Sequence, residues 1–140
     1  MLLGEYDHVV DEKSRMFLPA KMREEFGGAV YVVKGVDPCI SVYPEGEWEK
    51  FKARLDTLPQ VKAREVRRFL LSSAERTIVD SHGRILLPQK LREYAGITGK
   101  NVKVLGVGDF AEIWDAEALE AHRGTVNNEE MISQLIELGF

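Results

Sequence analysis

VVDEKSRMFLPAKMREEFG, residues 9–27, returns as IVDSHGRILLPQKLREYAG, residues 78–96, at a distance of 69 positions. Nine of the 19 aligned pairs are identical: Val10/Val79, Asp11/Asp80, Arg15/Arg84, Leu18/Leu87, Pro19/Pro88, Lys21/Lys90, Arg23/Arg92, Glu24/Glu93 and Gly27/Gly96. Two unrelated stretches would share roughly one, given ordinary residue usage. A shift of 71 aligns the next stretch, so that Gly35-Val36 meets Gly106-Val107 and Ser41-Val42-Tyr43 meets Glu112-Ile113-Trp114. The chain is two copies of one unit. With only two copies, a closed pseudo-twofold pair is expected rather than a solenoid.

Each copy has the same local grammar. Val9-Val10 and Ile78-Val79 end short β-branched runs, which read as strands. Asp11 to Ser14 and Asp80 to Gly83 read as turns, in which an Asp side chain bonds forward to backbone N–H groups. Gly83 suits a left-handed position, and Ser14 fills the equivalent place with more strain. Met16-Phe17-Leu18 and Ile85-Leu86-Leu87 are continuous apolar runs of buried-strand length. Pro19 and Pro88 end them and fit the first position of a short helix. Within those helices Met22 with Phe26, and Leu91 with Ala95, face the core at a spacing of four. Lys21, Arg23, Lys90 and Arg92 are left pointing to solvent. Two strands come next in each copy, Ala29–Lys34 with Ile40–Tyr43 and Val102–Leu105 with Ala111–Trp114. Helices are predicted over Glu45–Leu55, Gln60–Ser72, Ala116–His122 and Glu129–Leu138. The resulting domain reading is a first repeat over 1–56, a linker helix over 57–72, a second repeat over 73–123 and a terminal helix or tail over 124–140.

Composition narrows the partner. The 140 residues are 44% apolar and 30% charged, an ordinary globular balance that can bury one good core. No run of 18 apolar residues is present, the amino terminus does not read as a secretory signal, and Cys39 has no second cysteine to pair with. A cytoplasmic protein is expected, without membrane or metal. The net charge of −4 is unevenly placed. Residues 109–140 hold eight acids and one base, a net of −7, so residues 1–108 carry a net of +3. The acidity belongs to the tail and the body is mildly basic.

A DNA reader needs cations along the phosphates and a few forked donors for base edges. Arg15 and Arg84 come after equivalent turns, so pseudo-symmetry would bring them to one face. Arg binds guanine bidentately, while Lys contributes a point charge. Asp11 and Asp80 orient those arginines, or merely brace the turns by an ion pair; both readings can hold together. Lys13, Lys21, Arg23, Lys90 and Arg92 are phosphate contacts or a solvated face. The run Lys62–Arg68 reads as a solvated face or subunit contact, and Tyr43, Trp48, Phe51 and Trp114 as core.

The pattern D-x-x-x-R, an apolar run, L-P-x-K-x-R and Gly resembles the AbrB-type (SpoVT-AbrB) swapped-hairpin DNA-binding module. Two such units, starting MLLGEYDHVVDEKSRMFLPAK and including Pro44-Glu45-Gly46-Glu47-Trp48 and Ile113-Trp114-Asp115, resemble the MraZ family of bacterial transcriptional regulators over essentially the whole chain. The resemblance implies an α+β fold with a mainly β core, an intertwined double-split β-barrel with peripheral helices. It also implies ring-like homo-oligomers, nucleoid association, and repression at repeated promoter sites of the division and cell-wall cluster that includes the regulator's own gene. The family motif carries over to Asp11, Arg15, Asp80 and Arg84, and the AbrB-type basic positions to Arg23 and Arg92. Lys13-Ser14-Arg15 replaces the more usual K-G-R, and His82 stands where Lys is common, which leaves open whether the halves contact DNA equally.

Catalytic readings find no parts. There is no nucleophile elbow, phosphate loop or metal-spaced cluster. His8, His82 and His122 are far apart, and Asp80-Ser81-His82 are neighbours on a tight turn. No cofactor and no small-molecule substrate are expected. The rival from another class is a ring-forming scaffold or a toxin-partner module. Residues 116–138 read as helical and apolar-patterned, with Leu119, Met131, Ile132, Leu135, Ile136 and Leu138, which suits docking to the body or to a neighbour and weakens the antitoxin version.

Overall fold

The computed structural model describes residues 1–140. In chain order the elements are β1 (Leu2–Val9), β2 (Arg15–Phe17), a 3-10 turn (Ala20–Met22) running into α1 (Arg23–Phe26), β3 (Ala29–Lys34), β4 (Ile40–Pro44), α2 (Glu45–Asp56) and α3 (Gln60–Leu71). The second half repeats them as β5 (Glu75–Ile78), β6 (Arg84–Leu86), α4 (Gln89–Tyr94), β7 (Asn101–Gly108), β8 (Ala111–Asp115), α5 (Ala116–Thr125) and α6 (Asn128–Glu137). The fold is α+β with a mainly antiparallel sheet. No helix is long and apolar enough to cross a membrane.

Strands are exchanged between the repeats. A six-stranded sheet runs β1-β7-β8-β4-β3-β5, and a separate two-stranded ladder joins β2 to β6. The first strand of each repeat therefore pairs with the hairpin of the other: β1 with β7, and β5 with β3. Two ladders are self-equivalent. Met16 lies opposite Ile85, its counterpart at a shift of 69. Ser41 lies opposite Glu112, its counterpart at a shift of 71. A residue that faces its own repeat copy marks a pseudo-twofold axis, and here one axis passes through both ladders. The same symmetry governs the loops: Leu18 donates its N–H to Gly83 O at 2.9 Å, and Leu87 donates to Ser14 O at 2.8 Å.

The main core lies where the repeats interlock, with Met16, Leu18, Met22 and Phe26 against Ile85, Leu87, Leu91 and Ala95, all buried. Met22, Phe26, Leu91 and Ala95 are the positions whose spacing of four predicts inward faces. Truncating one of the large members to Ala would cost about 2–5 kcal/mol. The apolar runs behave differently from the sequence expectation. Met16, Leu18, Ile85 and Leu87 are buried, but Phe17 and Leu86 between them stand 44% and 55% exposed. Strand alternation overrides the uniform apolar character, because successive side chains point to opposite faces. Pro19 and Pro88 sit one place earlier than expected, at the N-caps of the 3-10 turn and α4. A second, aromatic cluster joins Tyr43 and Trp48, with Tyr31 stacked on Trp48 at 5.1 Å. Trp114 is buried with Cys39 and Leu119. These rings are core, as their periodicity predicts.

Candidate nucleic-acid interface

The two turns are built alike. Asp11 Oδ1 accepts from the backbone N–H groups of Lys13 and Arg15, each at 2.9 Å, and its Oδ2 accepts from Arg15 Nε at 3.0 Å. Asp80 Oδ1 accepts from the N–H groups of His82 and Arg84, each at 2.9 Å, and its Oδ2 accepts from Arg84 Nε at 2.8 Å. One carboxylate thus closes the turn with one oxygen and holds the arginine with the other. The backbone hydrogen bond from Arg84, reinforced by its side chain, holds the Asp80 carboxyl down at about 2. The corresponding bond from Arg15 lowers the Asp11 carboxyl as well. Hydrogen bonds to the charged form are the cause, so each Asp stays ionised. Ser14, at φ 63°, is the one non-glycine residue in the left-handed region, and Gly83 occupies its equivalent at φ 84°.

The β2–β6 ladder converts these turns into one face. Arg15 pairs with Leu86 and Phe17 with Arg84. Alternation sends Met16 and Ile85 inward, so Arg15, Phe17, Arg84 and Leu86 share the outer side. The two arginines are diagonal neighbours across the ladder, with Cα atoms about 7–8 Å apart. Only Nε of each guanidinium is engaged by its Asp. The terminal nitrogens, the forked edge that binds guanine, have no protein partner. The Arg84 guanidinium also lies 5.8 Å from the centroid of the Phe17 ring, and that of Arg23 lies 5.6 Å from it.

The remaining basic residues separate into two groups. Lys13, Lys21 and Lys90 are exposed, and Lys90 reaches back to Ser72 O at 3.3 Å. Arg23 and Arg92, expected to point to solvent, are half-buried. Arg23 Nε donates to Leu18 O at 2.9 Å and Arg92 Nε to Leu87 O at 3.2 Å. Those carbonyls lie just past β2 and β6, where no strand partner takes them, and a buried acceptor needs a donor. Arg23 also reaches across the repeats: a Cβ on Gly83 would come within 2.7 Å of its Nε. Phe17 and Leu86 on the arginine face escape sequence reasoning, because both sit inside apolar runs that look wholly buried. No group of three His, Cys, Asp or Glu side chains is placed to hold a metal ion.

Comparison with known proteins agrees with the two-repeat layout. The family profile described as "MraZ protein, putative antitoxin-like" matches twice, over residues 1–69 and 70–134. The chain is 42% identical to the "Transcriptional regulator MraZ" of Syntrophomonas wolfei over the full length of both chains. It is 40% identical to the protein of that name from Heliobacterium modesticaldum, over 98% of each chain. A third, from Caldanaerobacter subterraneus, is 44% identical over 87% of this chain and 86% of its own.

Proposed function

The chain belongs to the MraZ family, and on that premise we propose that it is a transcriptional regulator that binds double-stranded DNA through Arg15 and Arg84. The observation that carries this reading is the β2–β6 face, with two arginines held by Asp11 and Asp80 and their forked edges open. A side chain already fixed by its neighbours loses less freedom on binding, so more of the contact energy appears as affinity. Their separation of about 7–8 Å matches roughly two steps of 3.4 Å along a strand. Both arginines therefore reach one short, pseudo-symmetric site. Exposed Lys13, Lys21 and Lys90 supply phosphate contacts around it, while Arg23 and Arg92 act mainly by fixing the backbone beneath.

In this reading the exchanged strands and the β2–β6 ladder form an intertwined double-split barrel, whose symmetric face is the reading surface. The regulator represses by occupying repeated promoter sites of the division and cell-wall cluster, its own gene included. It works in the cytoplasm at the nucleoid as a ring of copies. One copy engages each short repeat, so weak single contacts add through effective concentration. The acidic tail, net −7 over residues 109–140, discourages loose attachment to random DNA.

The test is titration of purified protein against DNA from upstream of its own gene, beside scrambled DNA, at two salt concentrations. The expected result is a preference for the upstream DNA that weakens with salt and vanishes in Arg15→Ala/Arg84→Ala with folding intact. Equal and weak binding to both DNAs would overturn the reading.

A further inference from the structure

The face that presents Arg15 and Arg84 carries more than cations. Phe17 and Leu86 stand on the same outer side of the β2–β6 ladder, Phe17 directly opposite Arg84 and Leu86 directly opposite Arg15. They are each other's repeat copies at a shift of 69. The pseudo-twofold axis that relates the arginines therefore relates this apolar pair as well. The arginines take one diagonal of the ladder, and the apolar pair takes the other. Both apolar side chains are open to solvent.

A single exposed leucine needs no explanation. The placement of this pair does. A strand face turned only to water alternates apolar-in with polar-out, and a face that only tracked phosphates would carry polar residues at 17 and 86. Instead each repeat sets an apolar side chain beside its arginine, and an apolar patch rimmed by polar groups marks a contact surface. The Phe17 ring is also steadied. The guanidinium groups of Arg84 and Arg23 lie 5.8 and 5.6 Å from its centroid, and a cation over an aromatic face attracts it. Both cations are themselves anchored, Arg84 by Asp80 and Arg23 by Leu18 O.

The chemistry of base edges decides what such a patch can read. In the major groove every base offers nitrogen or oxygen groups, and thymine alone adds a carbon group, its 5-methyl, which takes apolar contact from side chains such as Phe. The minor groove presents no such group. The guanidinium fork takes the O6 and N7 atoms of guanine. Residues directly opposite on an antiparallel pair have Cβ atoms about 4.5–5.5 Å apart, against about 3.4 Å for each base step along a strand. Each apolar side chain therefore reaches a base one or two steps from the guanine beneath the arginine opposite it.

We propose that Phe17 and Leu86 are specificity-determining residues that read thymine, each covering the 5-methyl group of a thymine close to the guanine taken by the arginine across the ladder. The inference rests on the DNA reading above and deepens it. The arginine pair selects guanine by forked hydrogen bonds, and the apolar pair selects thymine by shape and apolar contact. The ladder thus enters the major groove with two kinds of reader on its two diagonals.

The experiment compares upstream DNA with the same DNA made with deoxyuridine in place of thymidine, which removes the methyl group and keeps the hydrogen-bonding edges. Scrambled DNA made both ways is the control. The proteins are the unaltered full-length chain and Phe17→Ser/Leu86→Ser, whose altered positions face away from the core, each checked for folding by circular dichroism. Covering one methyl is worth about fourfold in affinity. The unaltered chain is therefore expected to bind the uracil form of upstream DNA about 15-fold more weakly, for one methyl under each apolar side chain. That ratio is expected to be the same at low and high salt, because no phosphate contact differs between the two DNAs. The variant is expected to bind the thymine and uracil forms equally, while its two arginines still prefer upstream to scrambled DNA. An unaltered chain that prefers upstream DNA but ignores the methyl groups overturns the inference and leaves the DNA reading standing. A variant that keeps the full methyl difference also overturns it, since another group then covers the thymines. No preference for upstream DNA in the unaltered chain overturns the DNA reading and the inference together. Should the double variant lose its fold, Leu86→Ser alone, at the more exposed position, is expected to keep only about a fourfold difference, and the undiminished ratio would overturn the role of Leu86.

Discussion

The turn at Asp11–Arg15 and the turn at Asp80–Arg84 share the hydrogen bonds of their aspartates and differ in what surrounds them. The first has Ser14 strained at φ 63°, Lys13 beside it, and Leu86 across the ladder from its arginine. The second has Gly83 at ease, His82 in the lysine place, and Phe17 beneath its arginine. The side chain of Arg84 is also the more enclosed, 23% exposed against 33% for Arg15. What both copies keep is the carboxylate that closes the turn and holds a guanidinium. What they vary is the cost of the turn and the packing around the arginine. The orienting device is needed twice; its setting is free to diverge, and the divergence makes the second half the better organised.

The largest expected effect comes from the glycine each repeat places before its hairpin turn. A Cβ on Gly106 would lie 2.5 Å from the backbone nitrogen of Leu3, so Gly106→Ala must push β1 off β7. A cost of about 3 kcal/mol or more is expected in denaturant unfolding. Its counterpart Gly35 meets first the Cys39 sulfur, at 2.5 Å, and Gly35→Ala should cost about half as much. Equal costs would mean that β1 yields as easily as a side chain.

Next come the arginines themselves. Arg15→Ala and Arg84→Ala should each cost about 1–3 kcal/mol of binding to upstream DNA and relax base preference there. Arg84→Ala is expected to cost more, since Asp80 and Phe17 both hold its guanidinium. Equal losses would show that the aromatic ring adds nothing. If either variant unfolds without a selective loss of binding, the aspartate–arginine pairs only brace the turns.

Smaller is the effect of the turn position. Ser14→Gly should stabilise the fold by about 1 kcal/mol, because a left-handed residue with a side chain is strained. Gly83→Ser should destabilise it by about 2 kcal/mol, adding that strain to a clash with Arg23, whose Nε is already committed to Leu18 O. Thermal unfolding of the two variants reads both signs.

The finest distinction is in pH. Asp80 has its carboxyl near 2 in the fold against 3.8 when free. Its contribution is therefore complete above about pH 4 and disappears as pH falls toward 2, when the proton removes the acceptor. Asp11 is lowered too, so its turn loosens in the same direction. Carboxyl NMR titration should find both below the ordinary aspartate value, with Asp80 near 2. An ordinary Asp80 would mean that Arg84 is not held.

The reach of the sequence differs between local and distant structure. The turns, the helices after Pro19 and Pro88, and the four hairpin strands were readable because each depends on residues a few places apart. The sharing of one face by Arg15 and Arg84 was readable only through the repeat, since the β2–β6 pairing joins residues about 70 apart. Phe17 and Leu86 were not readable: three apolar residues in a row do not say which one faces out. Nor were the roles of Arg23 and Arg92, whose half-burial comes from carbonyls left unpaired after the strands end. The acidic, apolar tail was legible as a helix suited to docking on the body or on a neighbour, but that none of its residues is buried within the chain was not.

The exchange of strands has a consequence for how the protein is made. During synthesis the first repeat leaves the ribosome with β1 lacking β7 and β3 lacking β5, so its sheet edges stay open while the second repeat is translated. β1 waits for residues about 100 positions downstream, and such long-range pairing folds slowly. Until then the open edges can recruit the same strands from another nascent chain. The helix α3, tethering the halves, is what makes the correct partner the nearest one. A gene fragment encoding either repeat alone would yield a half whose edges only another half could cover.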